Sequence, residues 1–600
     1  SVVMDGTSGC RNIFGGGVGM ATDSDVEFLG EVTGTSTVDV RNGIVSGDIY
    51  GGGAGIESKK NDDGQPVRDY TNVARVREGA KVSIDGTVSS TEFTGKTYKI
   101  DNTLVFGKVH GGGDVANVGN GETCAAGDTA TVDGNPKFMT EVYVKGGIIF
   151  SQVYGGGSGR PASDCVDYTK LGAVYGNSKL TVATPTIKET APWLWNRVYA
   201  GGESGTVYGN SKLHIAGGNL GYNAFGGGFG RVDTLSTGEL KVTDAAVTGN
   251  TYVDVTGGEW CVSQIWLTED ADGNDLREWA PVNMALGHAY VPQYNPETRT
   301  FIVNHNIYGG GNACSTIGGN TYVKMTKGLL QDKTILGETY EGSTFFEQNE
   351  WREIYDKVGS AHFSVFGAGY GAETTVKGDT YVDVSIDGEA VPSSNFQDTN
   401  VELYKRFKSY QSLLDIIGGG YNGLVEGNSN VHIGGNTLMR RAFGGGYYAK
   451  VSNSKVTVTS GRIGEVFGGG VIGDVLHNSF VTIGQHGDSL FVGNTYHKAN
   501  DKLFINQNVY GANDVSGAVG MEDNKEEHKD GDGTHVILRG GTVYGDVYGG
   551  GNGDYLYALS PTNDTKVKPH EHYKLNQESD DSYDLVYTVP MRPGMVSAAS

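Results

Sequence analysis

Proline is scarce in this chain, 13 of 600 residues beside 97 glycines, and no glycine recurs at every third position, so the glycine does not belong to a collagen-like helix. No run of about 18 apolar residues occurs, which leaves nothing that reads as a membrane-spanning helix. Basic residues are in deficit: 46 Lys and Arg face 70 Asp and Glu, a formal charge of -24. A surface that docks on nucleic acid or an anionic bilayer needs clustered Lys and Arg, so neither partner is expected. The histidines show no His-Glu-x-x-His spacing, the cysteines no Cys-x2-Cys, and no EF-hand loop occurs, so no metal or cofactor is implied. Ser1 falls inside folded-looking sequence, and any signal peptide is expected to lie outside the chain.

What the chain does have is repetition. A polar residue, an aliphatic, an aromatic and then glycines recur as Asn-Ile-Phe-Gly-Gly-Gly at 12–17, Asp-Ile-Tyr-Gly-Gly-Gly at 48–53 and Asp-Val-Tyr-Gly-Gly-Gly at 546–551. Ten further copies or near-copies begin their glycines, or the equivalent position, at 111, 155, 200, 226, 309, 367, 418, 444, 468 and 511. Between them stands a second motif, Gly-Asn-Ser/Thr-x-Val-x-Val/Ile, as at 249–255, 319–325 and 427–433. Its alternation of aliphatic and polar residues is that of a strand with one buried face.

The shortest intervals, 200 to 226, 418 to 444 and 444 to 468, set one repeat at about 25 residues. That length holds three short strands and three corners, for instance at 455–459, 465–469 and 473–477. The expected fold is therefore all-β, a right-handed parallel β-helix of about thirteen coils over residues 1–553, roughly 60 Å long. Residues 554–600 lose the motif and are expected to form a cap or linker. Glycine at the corners suits either a positive φ or a close approach of neighbouring coils. Open terminal coils would invite aggregation, so something should cap each end, and a larger parent chain or assembly is expected.

The reiterated Val-Tyr-Gly-Gly-Gly and Gly-Asn-Thr-Tyr-Val motifs, over about residues 10–553, resemble the large glycine-rich, adhesin-like β-helix surface proteins of gut Bacteroidota, within the pectin-lyase-like architecture. The resemblance implies an exported protein at the bacterial cell surface and no particular ligand. Pectin-lyase-like folds also include polysaccharide lyases and hydrolases, so the site has to decide between binder and enzyme.

Three groups of residues are candidates for that site. The first is the aromatic before the glycines: Phe14, Tyr50, Tyr154, Tyr199, Phe225, Tyr308, Phe366, Phe443, Phe467, Tyr510 and Tyr548, a column interrupted by His110 and Ile417. Period-2 alternation puts it on the polar face, which predicts an external aromatic ladder, serving either as mutual support between coils or as a platform for sugars. The second is a set of long insertions at one corner, 259–304, 327–364 and 388–415 on three successive coils, with a shorter one at 183–197. They hold all six tryptophans, and the apolar spacing around Phe345, Phe346, Trp351 and Tyr355 and from Leu403 to Leu413 is partly helical. Stacked on one edge, they are expected to form a ridge in which Trp260, Trp266, Trp279 and Trp351 bind a glycan or a partner surface protein, or else pack as a satellite core.

The third group is enzymatic. The outward middle residue of the Val-x-Val strand reads Asp254, Lys324, Asp383 and His432 on consecutive coils. Two rungs separate the aspartates by roughly 10 Å, close to the carboxylate spacing of an inverting glycosidase, and an Asp with a Lys could abstract a uronate α-proton. Elsewhere the row reads Asp39, Ser83, Tyr143, Thr181, His214, Thr457 and Thr482, and alternating charges on neighbouring rungs are also ordinary cross-strand pairs. The cysteines number five. Cys124 and Cys165 follow Gly111 and Gly155 at matching corners and are expected to form a disulfide, whereas Cys10, Cys261 and Cys314 suit buried thiols.

Overall fold

The computed structural model describes the coils through residues 1–552, apart from 20–28, 58–71, 121–130, 163–167, 184–191, 261–293, 296–299, 302–305, 328–363, 388–411, 521–531 and some shorter gaps, and beyond 552 only short strand segments. The chain winds as a parallel β-solenoid of about thirteen coils. Sheet A, built from the Gly-Asn-Ser/Thr motif, has 13 strands running from Val2–Met4 to Thr534–Leu538, and sheet C, built from the aromatic-glycine motif, has 15 from Ile13–Phe14 to Val547–Tyr548. Between them, sheet B has seven two- or three-residue strands, ending at Glu259–Trp260. The third side expected at 473–477 is narrower than a full strand: it is mostly a file of single parallel bridges, such as Val174 to Val207, Val207 to Val247 and Val451 to Val475.

Every coil pairs with the next in register, so like residues stack on like. Val253, Val323, Val382 and Val431 align in one buried column. With the aliphatic residues of sheets B and C they form a single core that runs from Met4 to Val509. Because a parallel solenoid repeats its environment each turn, one short motif can specify the whole length.

The two motifs are tied to each other by hydrogen bonds. On most sheet A strands the opening Ser or Thr points inward and donates to the carbonyl at the first position of the glycine triplet in the same coil: Ser178 to Ala200 at 2.7 Å, Thr251 to Gly309 at 2.6 Å, Thr380 to Gly418 at 2.6 Å, Ser454 to Gly468 at 2.6 Å. The preceding Asn accepts from the backbone N–H of its counterpart one rung on, as in Asn177 from Asn210, Asn210 from Asn250 and Asn250 from Asn320, each at 2.8 Å. Apart from Thr140, whose hydroxyl is buried without a partner among the described residues, these corner groups are satisfied internally, and Gly-Asn-Ser/Thr is a corner device before it is a strand.

The glycine triplets answer to close approach and not to positive φ. None of Gly111, Gly112, Gly226 or Gly227 has φ in the left-handed range. A Cβ on Gly112 would lie 2.8 Å from the backbone of Gly157 on the next coil, and one on Gly227 2.8 Å from that of Gly311. On Gly226 it would meet the inward Val253 of sheet A at 2.9 Å. Any side chain would force the coils apart.

The expectation of an external aromatic ladder is corrected in one respect. The rings do stack rung upon rung, Phe14 to Tyr50 and on through Tyr154, Tyr199, Phe225, Tyr308 and Phe366, with centroids 4.7–4.9 Å apart. His110 continues the stack as a ring between Tyr50 and Tyr154, so Ile417 alone interrupts it before Phe443, Phe467, Tyr510 and Tyr548. Yet Tyr154, Tyr199, Phe225, Tyr308, Phe443 and Phe467 are buried. They leave the core side of sheet C, as alternation requires, and are then covered by chain that doubles back just past the glycines: Phe229, Tyr370, Tyr421, Tyr447, Tyr448, Val471, Ile472 and Val515. The platform role falls with that cover, and mutual support remains.

Among the described residues the only helical turn is the 3-10 segment Tyr168–Lys170. The helical-patterned stretch at 345–355 and that from 403 to 411 lie outside the described residues, whereas Leu413, the end of the second pattern, belongs to the sheet C strand Ser412–Ile417.

Candidate functional site

With the aromatic ladder buried, the outward face of sheet A is the broad regular surface left for recognition. Alternation along each strand turns the residues on either side of the central Val outward, so the sheet carries two parallel columns. The first reads Lys179, Lys212, Tyr252, Tyr322, Tyr381, Asn430, Lys455, Phe480 and His535, and the second Thr181, His214, Asp254, Lys324, Asp383, His432, Thr457, Thr482 and Ile537.

Tyr252, Tyr322 and Tyr381 form a short exposed stack, with centroids 5.1 and 5.0 Å apart and rings within 8° of parallel. Each hydroxyl is held by the corner residue two positions earlier: Asn250 and Asn320 donate to Tyr252 and Tyr322 at 3.3 and 3.0 Å, and Tyr381 donates to Asp379 at 3.1 Å. The rings are thereby held in stacked register along the sheet. All three are half-buried. These tyrosines belong to the three strands that immediately precede the insertions 259–304, 327–364 and 388–415.

The proposed catalytic row is present in register, Asp254 beside Lys324, Lys324 beside Asp383, Asp383 beside His432. Each carboxylate is already engaged. Asp254 pairs with Lys212 at 2.6 Å. Asp383 accepts from His432 Nδ1 at 2.8 Å and from Ser385 at 3.1 Å, and His432 Nε2 lies 3.1 Å from Thr459 Oγ1. The His432 hydrogen bond, offset in part by burial and helped by the charges of His432 and Lys324, lowers the Asp383 carboxyl below its usual range. A glycosidase general acid needs the opposite shift, upward toward neutrality.

Other charged groups act as struts. Arg441 is buried, forks onto Asp415 at 3.0 and 2.5 Å and reaches Asp514 at 3.1 Å, with its guanidinium over Phe443. Glu203 takes Lys108 at 2.7 Å and the buried His110 at 3.2 Å. Burial pushes the Glu203 carboxyl up, but His110 and Lys108 outweigh it and hold the group at about 2. Asp415 and Arg441 occupy the polar position two residues before the aromatic column, where the sequence shows charge without showing that the returning chain will bury it.

The remaining sequence candidates divide by location. Trp260 stands on the last strand of sheet B, whereas Trp266, Trp279 and Trp351 lie outside the described residues. Cys124 and Cys165 also lie outside them, as does Cys261. Cys10 is half-buried and Cys314 buried, and burial pushes the Cys314 thiol up to about 12, the behaviour of an apolar filler. No group of three or more metal-ligating side chains occurs among the described residues. The charge pattern of the sequence does not point to this tyrosine stack. Its signal was in plain view, the Tyr of Gly-Asn-Thr-Tyr-Val at 252 and 322, since alternation that turns Val inward turns both its neighbours outward.

Comparison with protein-family models, with curated proteins and with solved structures returns no match to this chain.

Proposed function

We propose that the chain is a non-enzymatic scaffold, displayed outside the cell, that binds a glycan along the outward face of sheet A. The observation that carries this reading is a coincidence of place: the three coils that bear the exposed tyrosines are the three that bear the long corner insertions. Long loops on a rigid frame commonly carry recognition, and here the insertions follow in sequence directly on strands whose outward residues repeat at the rung spacing. Its side chains are amphipathic or hydrogen-bonding, namely Tyr, Asn, Asp, Lys, His and Thr, which suits the hydroxyl-rich and C–H faces of an extended sugar chain better than a purely apolar partner. The tryptophans at 260, 266, 279 and 351 belong to the same coils and extend the surface in this reading.

The lyase or hydrolase alternative is less favoured because Asp254 and Asp383 are spent on Lys212 and His432, and Asp383 is held ionised rather than poised as an acid. The test is a panel of immobilised neutral and acidic polysaccharides, with reducing-sugar release and unsaturated-uronate absorbance followed in parallel. Saturable binding with no product is expected. Product formation that Asp383→Asn abolishes would establish the enzyme instead.

A further inference from the structure

We infer that the glycan bound by sheet A is an acidic polymer, carrying carboxylate or sulfate groups. This inference rests on the glycan-binding reading above and narrows it to one ligand class. Its basis is the distribution of charge. The chain as a whole carries -24, so an anionic polymer is repelled by most of its surface. The outward face of sheet A departs from that balance. From the strand Asn177–Val182 to the strand Thr534–Leu538, its two columns hold Lys179, Lys212, Lys324 and Lys455 against Asp254 and Asp383, with His214, His432 and His535 in addition.

Both aspartates are engaged within the face, Asp254 in an ion pair with Lys212 at 2.6 Å and Asp383 as a hydrogen-bond partner of His432 Nδ1 at 2.8 Å. Nearby acids at the Asn corner are spent too: Asp379 bonds Tyr381 and Asn428, and Asp532 bonds His477 and Asn478. Lys324 and Lys455 are exposed, and neither lies within ion-pair distance of a carboxylate among the described residues, although Lys324 stands in register between Asp254 and Asp383. They stand three rungs apart, about 14 Å along the axis, with Tyr381 and Asn430 on the rungs between. A single small anion would satisfy one lysine. A repeating anionic chain laid along the axis meets both, crosses Tyr381 and Asn430 on the rungs between, and places its sugar rings on these aromatic and amide groups. On a protein that is acidic overall, such a strip also favours approach of the polymer to this face.

The experiment measures binding of the full chain to three soluble polymers: hyaluronan, which carries only carboxylates; dextran sulfate, which carries only sulfates; and neutral dextran. The wild type is compared with a Lys324→Glu/Lys455→Glu variant whose melting curve is checked against it. Binding to one or both acidic polymers and not to dextran, weakened about tenfold or more by the double substitution and by high salt, is the expected result. The acidic polymer that binds identifies the anion. Binding to dextran that the double substitution leaves unchanged overturns the acidic-ligand inference while the glycan reading stands. Binding to none of these polymers, or to the neutral and acidic members of a wider polysaccharide panel, overturns both. Acidic-polymer binding unaffected by the double substitution also overturns the inference, since it places the anion elsewhere.

Discussion

Two columns of stacked rings run along this solenoid, and they are chemically alike. In sheet C, Tyr199 and Phe225 stack at 4.8 Å, and in sheet A, Tyr252 and Tyr322 stack at 5.1 Å, each pair within 8° of parallel. Both follow from one cause, parallel strands in register that bring like residues together. Their fates differ because of what comes next in the chain. After the sheet C ring, glycines let the backbone double back and seal the column, whereas after the sheet A tyrosine the strand continues and the ring stays at the surface. Ring stacking therefore says nothing about exposure, and the glycine triplet is the better indicator of a buried column.

The largest effect is expected where the seal itself is broken. Gly227→Val puts a branched side chain against the Gly311 backbone, and it should cost about 4 kcal/mol or more, enough to abolish a cooperative transition in chemical denaturation. Gly550→Ala has open space and should leave the transition where it is. An unchanged curve for Gly227→Val would remove close approach as the reason for the triplets.

Next in size is the ring under the seal. Phe225→Ala should cost about 3–5 kcal/mol, as expected for a fully buried aromatic, while Tyr322→Ala should cost under about 1 kcal/mol because its ring is already partly in water. Equal losses in the two variants would erase the distinction between the columns.

Acid provides a third comparison, in which the largest effect is expected at the sealed column. Glu203, beneath His110, falls from the ordinary carboxylate range to about 2 in the folded state. A depressed folded-state value contributes stability above the unfolded-state value, near 4.5, and loses it as pH falls from there through about 2. Stability should accordingly drop by about 3 kcal/mol over that window, and Glu203→Gln should flatten the profile there while lowering stability at neutral pH. A wild-type profile as flat as the variant's would contradict the buried cluster.

Much of this architecture was legible in the residues. Repeat length, three parallel sheets and the inward column of Val253, Val323, Val382 and Val431 all follow from alternation and spacing, which are local properties of a solenoid. Burial of the aromatic column was not legible, because it depends on Tyr421, Tyr447 and Ile472 returning over the sheet, and alternation describes only which side of a strand a ring leaves. His110 was misread for a related reason: as a residue type it breaks a Phe/Tyr column, yet as a planar ring it continues the stack. In the candidate site, the register of Asp254, Lys324, Asp383 and His432 follows from spacing, and Asp383 with His432 is a pair between neighbouring rungs of that row, whereas the pairing of Asp254 with Lys212, which stands in the other outward column, appears only in the fold.

The account holds that the sealed column supports the solenoid and the open face recognises a glycan. Tyr322→Ala, assayed for both polysaccharide binding and melting temperature, tests this most directly. The predicted result is binding weakened about tenfold or more with the melting transition nearly unchanged. Unchanged binding to a polysaccharide that the wild type retains, or a collapse in stability comparable to that of Phe225→Ala, would contradict it.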